Sequence, residues 1–196
     1  MLVETAKRDL ARRRRRGIGN VIASLFVWIL LGVLGLIVQH AEQRAVMYII
    51  AAVLLWPVSA ATSMLLGQKS LRKENPIVSL AGLVGALNII FIPLFVGAYF
   101  TASNMLPLYL AVLMGAQFLL YIWIYDSLAY LFGSLGLLEV AVLIALLAPG
   151  AVYVAIPFMA AGVLFVTLVF LLGSMADDRQ TGNLPESAKV GANRRG

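Results

Sequence analysis

The chain contains no cysteine, a single histidine and few charged residues. Without cysteine, disulfide bonds and thiolate chemistry are excluded, and no redox compartment can be inferred. The single His40 excludes a metal site built on several imidazoles, so we expect neither a metal nor a cofactor. Only 12% of the 196 residues are charged, about half the share in soluble domains, whereas 62% are hydrophobic. This composition indicates an integral membrane protein.

Six apolar stretches are each near the ~20 residues that cross ~30 Å of hydrocarbon. They cover residues 18–38, 45–66, 77–100, 106–125, 128–148 and 151–173. The loops after the third, fourth and fifth stretches are very short, so consecutive helices should be antiparallel neighbours. The predicted fold class is therefore all-α, a polytopic transmembrane helical bundle of six spans. It is flanked by a basic segment, residues 1–17, and by a polar tail, residues 174–196, which is expected to be disordered.

The basic residues are distributed unevenly among the connections. If six spans alternate in direction, fourteen of the 15 Lys and Arg residues fall on one side, and only Arg44 falls on the other. The positive-inside rule then predicts that both termini are cytoplasmic. The run Arg12, Arg13, Arg14, Arg15 and Arg16 acts foremost as this topology signal, and a weaker interpretation is contact with anionic lipid headgroups. Because these boundary charges account for the net charge of +6, nucleic acid is not expected as a partner.

Three polar side chains lie at similar depth in three consecutive predicted spans. Asn88, Gln117 and Glu139 are each about ten residues into their span, which is ~15–17 Å deep. Polar groups at this depth normally face a bundle interior or a wet cavity, so we expect the three to meet. Two alternatives remain open. In the first, Asn88 and Gln117 form a hydrogen bond with each other and contact no ligand. In the second, a turn at 133–136 places Glu139 near the cytoplasmic surface.

The fourth span extends this polar layer towards the cytoplasm. Gln117, Tyr121 and Tyr125 are spaced i, i+4, i+8 and therefore share one helix face. The predicted ligand-binding residues are Asn88, Gln117, Tyr121, Tyr125 and Glu139. Secondary candidates are Trp123, Asp126, Tyr130 and Pro93. Among these, Asp126 is more typical of a loop or cap residue, and Pro93 interrupts the helical hydrogen bonds of its span.

Several short motifs occur between residues 75 and 132. They are Asn75-Pro76, Leu80-Ala81-Gly82 with Gly85, Phe91-Ile92-Pro93, Gly97-x-Tyr99-Phe100, Gly115-Ala116, Trp123-Ile124-Tyr125-x-Ser127 and Ala129-Tyr130-Leu131-Phe132. This region resembles a family of small six-span bacterial membrane proteins with a domain of unknown function. The resemblance implies the fold, a bacterial cytoplasmic (inner) membrane and a focal region, but no activity. Glu139 and the arginine run are not part of the shared pattern.

Three classes of function are consistent with these features. The favoured one is binding or transport of a small solute through a central intramembrane cavity, where aromatic and polar groups suit an amphipathic or cationic ligand. The alternative is a non-transporting scaffold, accessory subunit or lipid-binding sensor, and a homo-oligomer fits either class. An enzyme ranks last, because the chain has no H-E-x-x-H or G-x-S-x-G motif and only Asp126 and Glu139 as an acid and a base.

Overall fold

The computed structural model describes residues 17–67 and 76–182, together with Val3, Lys7 and Leu10. Within the two long ranges the chain is helical apart from short connections. The helices are α1 (Ile18–Ile37), α2 (Ala41–Leu65), α3 (Pro76–Ile90), α4 (Ile92–Thr101), α5 (Leu106–Tyr125), α6 (Ala129–Leu147) and α7 (Val152–Gly182). Single 3-10 turns, Ser103–Met105 and Pro149–Ala151, precede α5 and α7.

These helices provide six segments that are long and apolar enough to cross a membrane, with α3 and α4 together forming the third. The predicted all-α, six-span fold is therefore confirmed, whereas the side on which the termini lie stays a prediction. The final helix continues to Gly182, beyond the predicted span end at Gly173. Hydropathy sets where a span leaves the bilayer, but a helix ends only at a backbone signal such as glycine.

The third span is broken into α3 and α4 at Phe91, two residues before Pro93. A proline ring has no N–H to donate and clashes with the carbonyl four residues earlier, so a continuous helix is destabilised there. In contrast, Pro57 and Pro157 lie inside continuous helices, α2 and α7. Among the three spans with a proline in their interior, only the third is interrupted by a non-helical residue in the described chain.

Packing is uneven around the bundle. α1 lies against α7 and α2, α6 lies against α5 and α7, and the α3–α4 span lies against α2 and α5. The central helix α5 is the most enclosed span, with 56% of its apolar window buried, compared with 17% for the α3–α4 span. The indole Nε1 of Trp28 donates to Met114 Sδ at 3.3 Å and so connects α1 to α5 in the core.

The half of the bundle that is remote from the N-terminus of α1 is closed by aromatic side chains. The Tyr48 ring lies 6.4 Å from that of Trp28 and 5.7 Å from that of Tyr153, both edge-on. The Tyr153 hydroxyl donates to the backbone carbonyl of Ser103 at 2.6 Å, and the Arg44 guanidinium lies 5.7 Å from the Tyr153 ring centre. These contacts connect α1, α2, α7 and the turn before α5 at this end.

Candidate functional site

A buried amide pair joins α3 to α5. Gln117 Nε2 donates to Asn88 Oδ1 at 3.0 Å, and the two side chains are 4% and 3% exposed. This bond uses one donor of Gln117 and one acceptor of Asn88. The Asn88 amino group and the Gln117 carbonyl oxygen therefore keep hydrogen-bonding capacity for another molecule. The two predicted roles, interhelical contact and ligand contact, are compatible with this single arrangement.

A cavity of about 250 Å³ lies next to this pair. It is bounded by α1, α2, α3 and α5 and by Leu10 from the N-terminal segment. Polar groups along its wall come from Asn20, Ser24, Ser59, Asn88 and Gln117. Aromatic groups come from Trp56, Phe118, Tyr121 and Tyr125. The wall thus combines amides and hydroxyls with ring faces, which is the usual composition of a small-molecule site.

The cavity occupies one half of the bundle. Its lining residues lie in the first turns of α1, the second half of α2, the middle of α3 and the second half of α5. Because neighbouring helices alternate in direction, all these segments lie on the side where α1 begins. The opposite half is the one closed by Trp28, Tyr48 and Tyr153. The bundle is therefore hollow towards its N-terminal side and packed towards the other.

An aromatic cluster lies at the end of α5, where three residues of the cavity wall, Phe118, Tyr121 and Tyr125, pack around Tyr130, which is outside the wall. The rings of Tyr121 and Tyr125 each lie within 5.8 Å of the Tyr130 ring, and the Phe118 ring is 5.3 Å from Tyr130. Gly17, in a left-handed conformation with φ of 74°, approaches this cluster closely. A Cβ atom there would lie 2.7 Å from the Tyr130 hydroxyl. The tyrosine cluster therefore fixes where α1 enters the bundle.

Asn20 adds a polar contact between α1 and this cluster. Its Nδ2 donates to the Tyr121 hydroxyl at 3.2 Å. The sequence did not indicate Asn20, Ser24 and Ser59, because each lies away from the midplane of its span. Polar residues are common outside the midplane and therefore do not stand out there. The spacing of Asn20 and Ser24, i and i+4 on one helix face, was the signal that could have indicated them.

Glu139 does not join the layer formed by Asn88 and Gln117. It is exposed on the outer face of α6 and does not line the cavity, which corrects the expectation that the three groups meet. The physical reason is the inward face of α6, where Gly133 packs so closely that a Cβ would lie 2.8 Å from Phe118 and Thr167. That close packing rotates Glu139 to the opposite side. The alternative turn at 133–136 is also excluded, because these residues lie inside α6.

The secondary candidates lie outside the cavity wall. Trp123 is half exposed, and the Lys7 Nζ lies 4.7 Å from its ring centre. Asp126 is the C-cap residue of α5, with φ of 50°, as its loop or cap interpretation expected. Pro93 is exposed at the start of α4, and Tyr130 belongs to the aromatic cluster described above. The arginine run, residues 12–16, lies outside the described residues.

The site carries little charge. The cavity wall contains no Asp, Glu, Lys, Arg or His among the residues that the structure describes. Those residues also contain no cluster of three or more potential metal ligands of the types His, Cys, Asp and Glu. Whatever binds in the cavity would therefore be held by amides, hydroxyls and ring faces.

In the part of the chain that the structure describes, six apolar spans around a partly polar interior indicate a multi-pass membrane protein. The chain belongs to a family of unknown function, DUF7010, which matches residues 3–174 and therefore all six spans. Comparison with curated proteins and with solved structures gives no match.

Proposed function

We propose that the protein binds a small, uncharged amphipathic solute in the cavity and carries it across the membrane. The observation that supports this most directly is the buried Asn88–Gln117 pair on the wall of an approximately 250 Å³ cavity. Buried amides in hydrocarbon are costly unless they are satisfied. A pair that needed only interhelical contact would not require an adjoining space.

The composition of the wall argues for the class of solute. Without acidic or basic groups in the described wall, a charged ligand would lose its hydration and gain no ion pair. Amide and hydroxyl groups can bond to a neutral polar group, while Leu55, Met114 and Phe118 contact an apolar part. The volume is below the ~300 Å³ at which typical ligand pockets begin, so the solute is smaller than a drug.

Transport, rather than binding alone, is favoured by the two unequal halves of the bundle. One side of the bundle is hollow and the other is closed, as alternating access requires of any one state. The α3–α4 span, which provides Asn88, is the least buried and is broken at Phe91, so it is the element best able to move.

The positive-inside asymmetry adds an orientation to this proposal. In this orientation both termini lie on the cytoplasmic side of a bacterial inner membrane, and the hollow half of the bundle faces the cytoplasm. The arginine run then contacts anionic lipid headgroups. A fluorescent-protein fusion at the C-terminus should fluoresce, and an alkaline phosphatase fusion there should be inactive. Active phosphatase would reverse the orientation.

Cysteine labelling tests whether the cavity is open to water, because the chain has no native cysteine. Gly82 lines the cavity, whereas Gly97 is exposed on α4 outside it, and a Cβ at either position meets nothing within 4 Å. We expect Gly82→Cys to react with a membrane-impermeant thiol reagent from the N-terminal side, and Gly97→Cys to be unreactive. Equal reactivity at both positions would contradict a wet cavity.

Solute movement is tested in proteoliposomes by isosmotic swelling with acetamide, glycerol and erythritol, with choline as the charged comparison. Gly82→Leu fills the cavity and Gln117→Leu removes an amide, so both should reduce the swelling rate at least severalfold. The matched control Gly97→Leu should leave it unchanged. No protein-dependent swelling with any neutral solute, or equal rates in all variants, would contradict transport.

A further inference from the structure

Among the residues that the structure describes, Glu139 is the one charged residue in the interior of a span. The six candidate spans contain three charged residues, and the other two, Glu42 and Arg44, lie in the first turn of α2. Glu139 is the eleventh of the 19 residues of α6, about 15 Å from the start of the helix. It is exposed, so in a single copy of the chain its carboxyl group would face the acyl chains. Such a group is costly there and normally has a polar partner.

The residues around Glu139 form a regular exposed strip. Leu135, Val142 and Leu146 are exposed, by 41–73%, on the face opposite the packed one. Phe132 is 44% exposed at the edge of this face, where its ring centre lies 5.6 Å from that of Phe170 in α7. With Glu139, these four residues of α6 follow the spacing 3, 4, 3, 4 along the helix. This is the a/d spacing that lets two helices pack at a shallow left-handed angle over many turns. It extends for about 21 Å, most of the thickness of the hydrocarbon.

A two-fold axis normal to the membrane would relate two such strips. All copies of the chain insert with the same orientation, so the axis places each residue at the same depth as its equivalent. A carboxyl group at mid-depth is then opposite another carboxyl group. Two neutral carboxylic acid groups can each donate one hydrogen bond to the other and accept one from it, so such a pair carries no net charge and needs no basic partner.

We propose that this strip of α6 is the contact surface for a second copy of the chain, with the two Glu139 carboxyl groups hydrogen-bonded across the axis. The strip packs as a parallel α6–α6 pair, and the central polar position sets its register, as single polar a-positions do in coiled coils. A second copy is favoured over a different protein because symmetry alone supplies a polar group at the required depth. This inference is independent of the proposed transport.

Disulfide cross-linking in reconstituted bilayers tests the contact surface, since every cysteine in the experiment is introduced. We expect Leu135→Cys, Val142→Cys and Leu146→Cys to give a disulfide-linked dimer on mild oxidation. Phe26→Cys is the matched control, a 70% exposed apolar residue near the middle of α1. It should give several-fold less dimer at the same protein density. Equal yields at Phe26 and on the strip, or no dimer from any strip position, would overturn the proposal.

Substitution of Glu139 tests the hydrogen bond without relying on cysteines. Glu139→Gln retains a cross-axis amide pair, so its dimerisation constant, measured by energy transfer between labelled copies in vesicles, should stay within a few-fold of the native value. Glu139→Leu should raise the dissociation constant roughly tenfold, within the range for interhelical hydrogen bonds in membranes. Leu and Gln variants that dimerise equally well would exclude the pairing of the carboxyl groups. If the native chain stayed monomeric in the vesicles, the strip of α6 would be excluded as a contact surface for a second copy.

Discussion

The central helix α5 and the broken span α3–α4 each provide one amide to the same hydrogen bond, yet they are packed very differently. α5 is more than half buried and contacts α6, α7, α2 and α3, whereas only about one sixth of the α3–α4 window is buried. Gly115 of α5 fits tightly against α6, with a Cβ position 3.1 Å from the Ser134 carbonyl oxygen. Gly82 and Gly97 of the third span have nothing within 4 Å of their Cβ positions.

This difference indicates two mechanical roles for the two sides of the bundle. The side formed by α1, α5, α6 and α7 is held by many close helix contacts, so no single polar bond decides its geometry. The α3–α4 span has fewer such contacts, so its position depends on Asn88, on the buried Phe95 and on the close fit of Gly85 against Trp56 of α2. Regions with low burial open most readily, which is why a moving element belongs on this side.

The largest expected effect comes from a glycine on the tightly packed side of the bundle. A Cβ at Gly35 would collide with the backbone carbonyl oxygen of Tyr153, so Gly35→Ala must push α1 and α7 apart. We expect a loss of about 1–3 kcal/mol in the free energy of unfolding, the usual cost of overpacking. Gly97→Ala, on the loosely packed span, should cause no loss, since alanine also favours helix. Unfolding in mixed micelles with increasing SDS measures both, and similar losses would refute the distinction between the sides.

A double-mutant cycle on the amide pair gives the next largest effect. Asn88→Leu or Gln117→Leu each leaves one buried amide without its partner. Their coupling energy should be about 1 kcal/mol, within the range measured for interhelical bonds in membranes. A change in the free energy of unfolding alone does not show whether the amide pair holds the α3–α4 span in place or only contributes to packing. Cysteine accessibility at Gly82 should therefore rise in both single variants. A coupling energy near zero would show that the pair does not hold the third span in place.

The sequence predicted the parts of this structure that depend on depth, but not those that depend on helix rotation. Hydropathy identified six spans, and counting residues placed Asn88 and Gln117 at one level, where they meet. Glu139 was at the correct depth along its helix but on the opposite face, because the close fit of Gly133 decides the rotation of α6. Asn20 was missed for a similar reason, since its contact with Tyr121 depends on how α1 enters past Gly17. The rotation of α6 and the position at which α1 enters the bundle both depend on the side-chain volumes of neighbouring helices. The local sequence of α6 or α1 does not contain that information.

The smallest expected effect comes from a hydrogen bond between two helices of the tightly packed side, α5 and α6. Ser134 Oγ donates to the Gly115 carbonyl at 2.7 Å, a bond between α6 and α5 that is shorter than the amide pair. The Gly115 carbonyl lies inside α5 and retains its own helical partner, so Ser134→Ala leaves no buried group unsatisfied.

We therefore expect Ser134→Ala to lower the free energy of unfolding by no more than about 0.6 kcal/mol, the average for polar contacts between membrane helices. The close fits of Gly115 against Leu138 and of Gly133 against Phe118 hold α5 and α6 together without the serine hydroxyl. Accessibility of Gly82→Cys should be unchanged in this background, in contrast to Asn88→Leu. If Ser134→Ala destabilised the protein more than Gln117→Leu, polar bonds rather than packing would hold the α5–α6 side together, and the two sides of the bundle would not differ in kind.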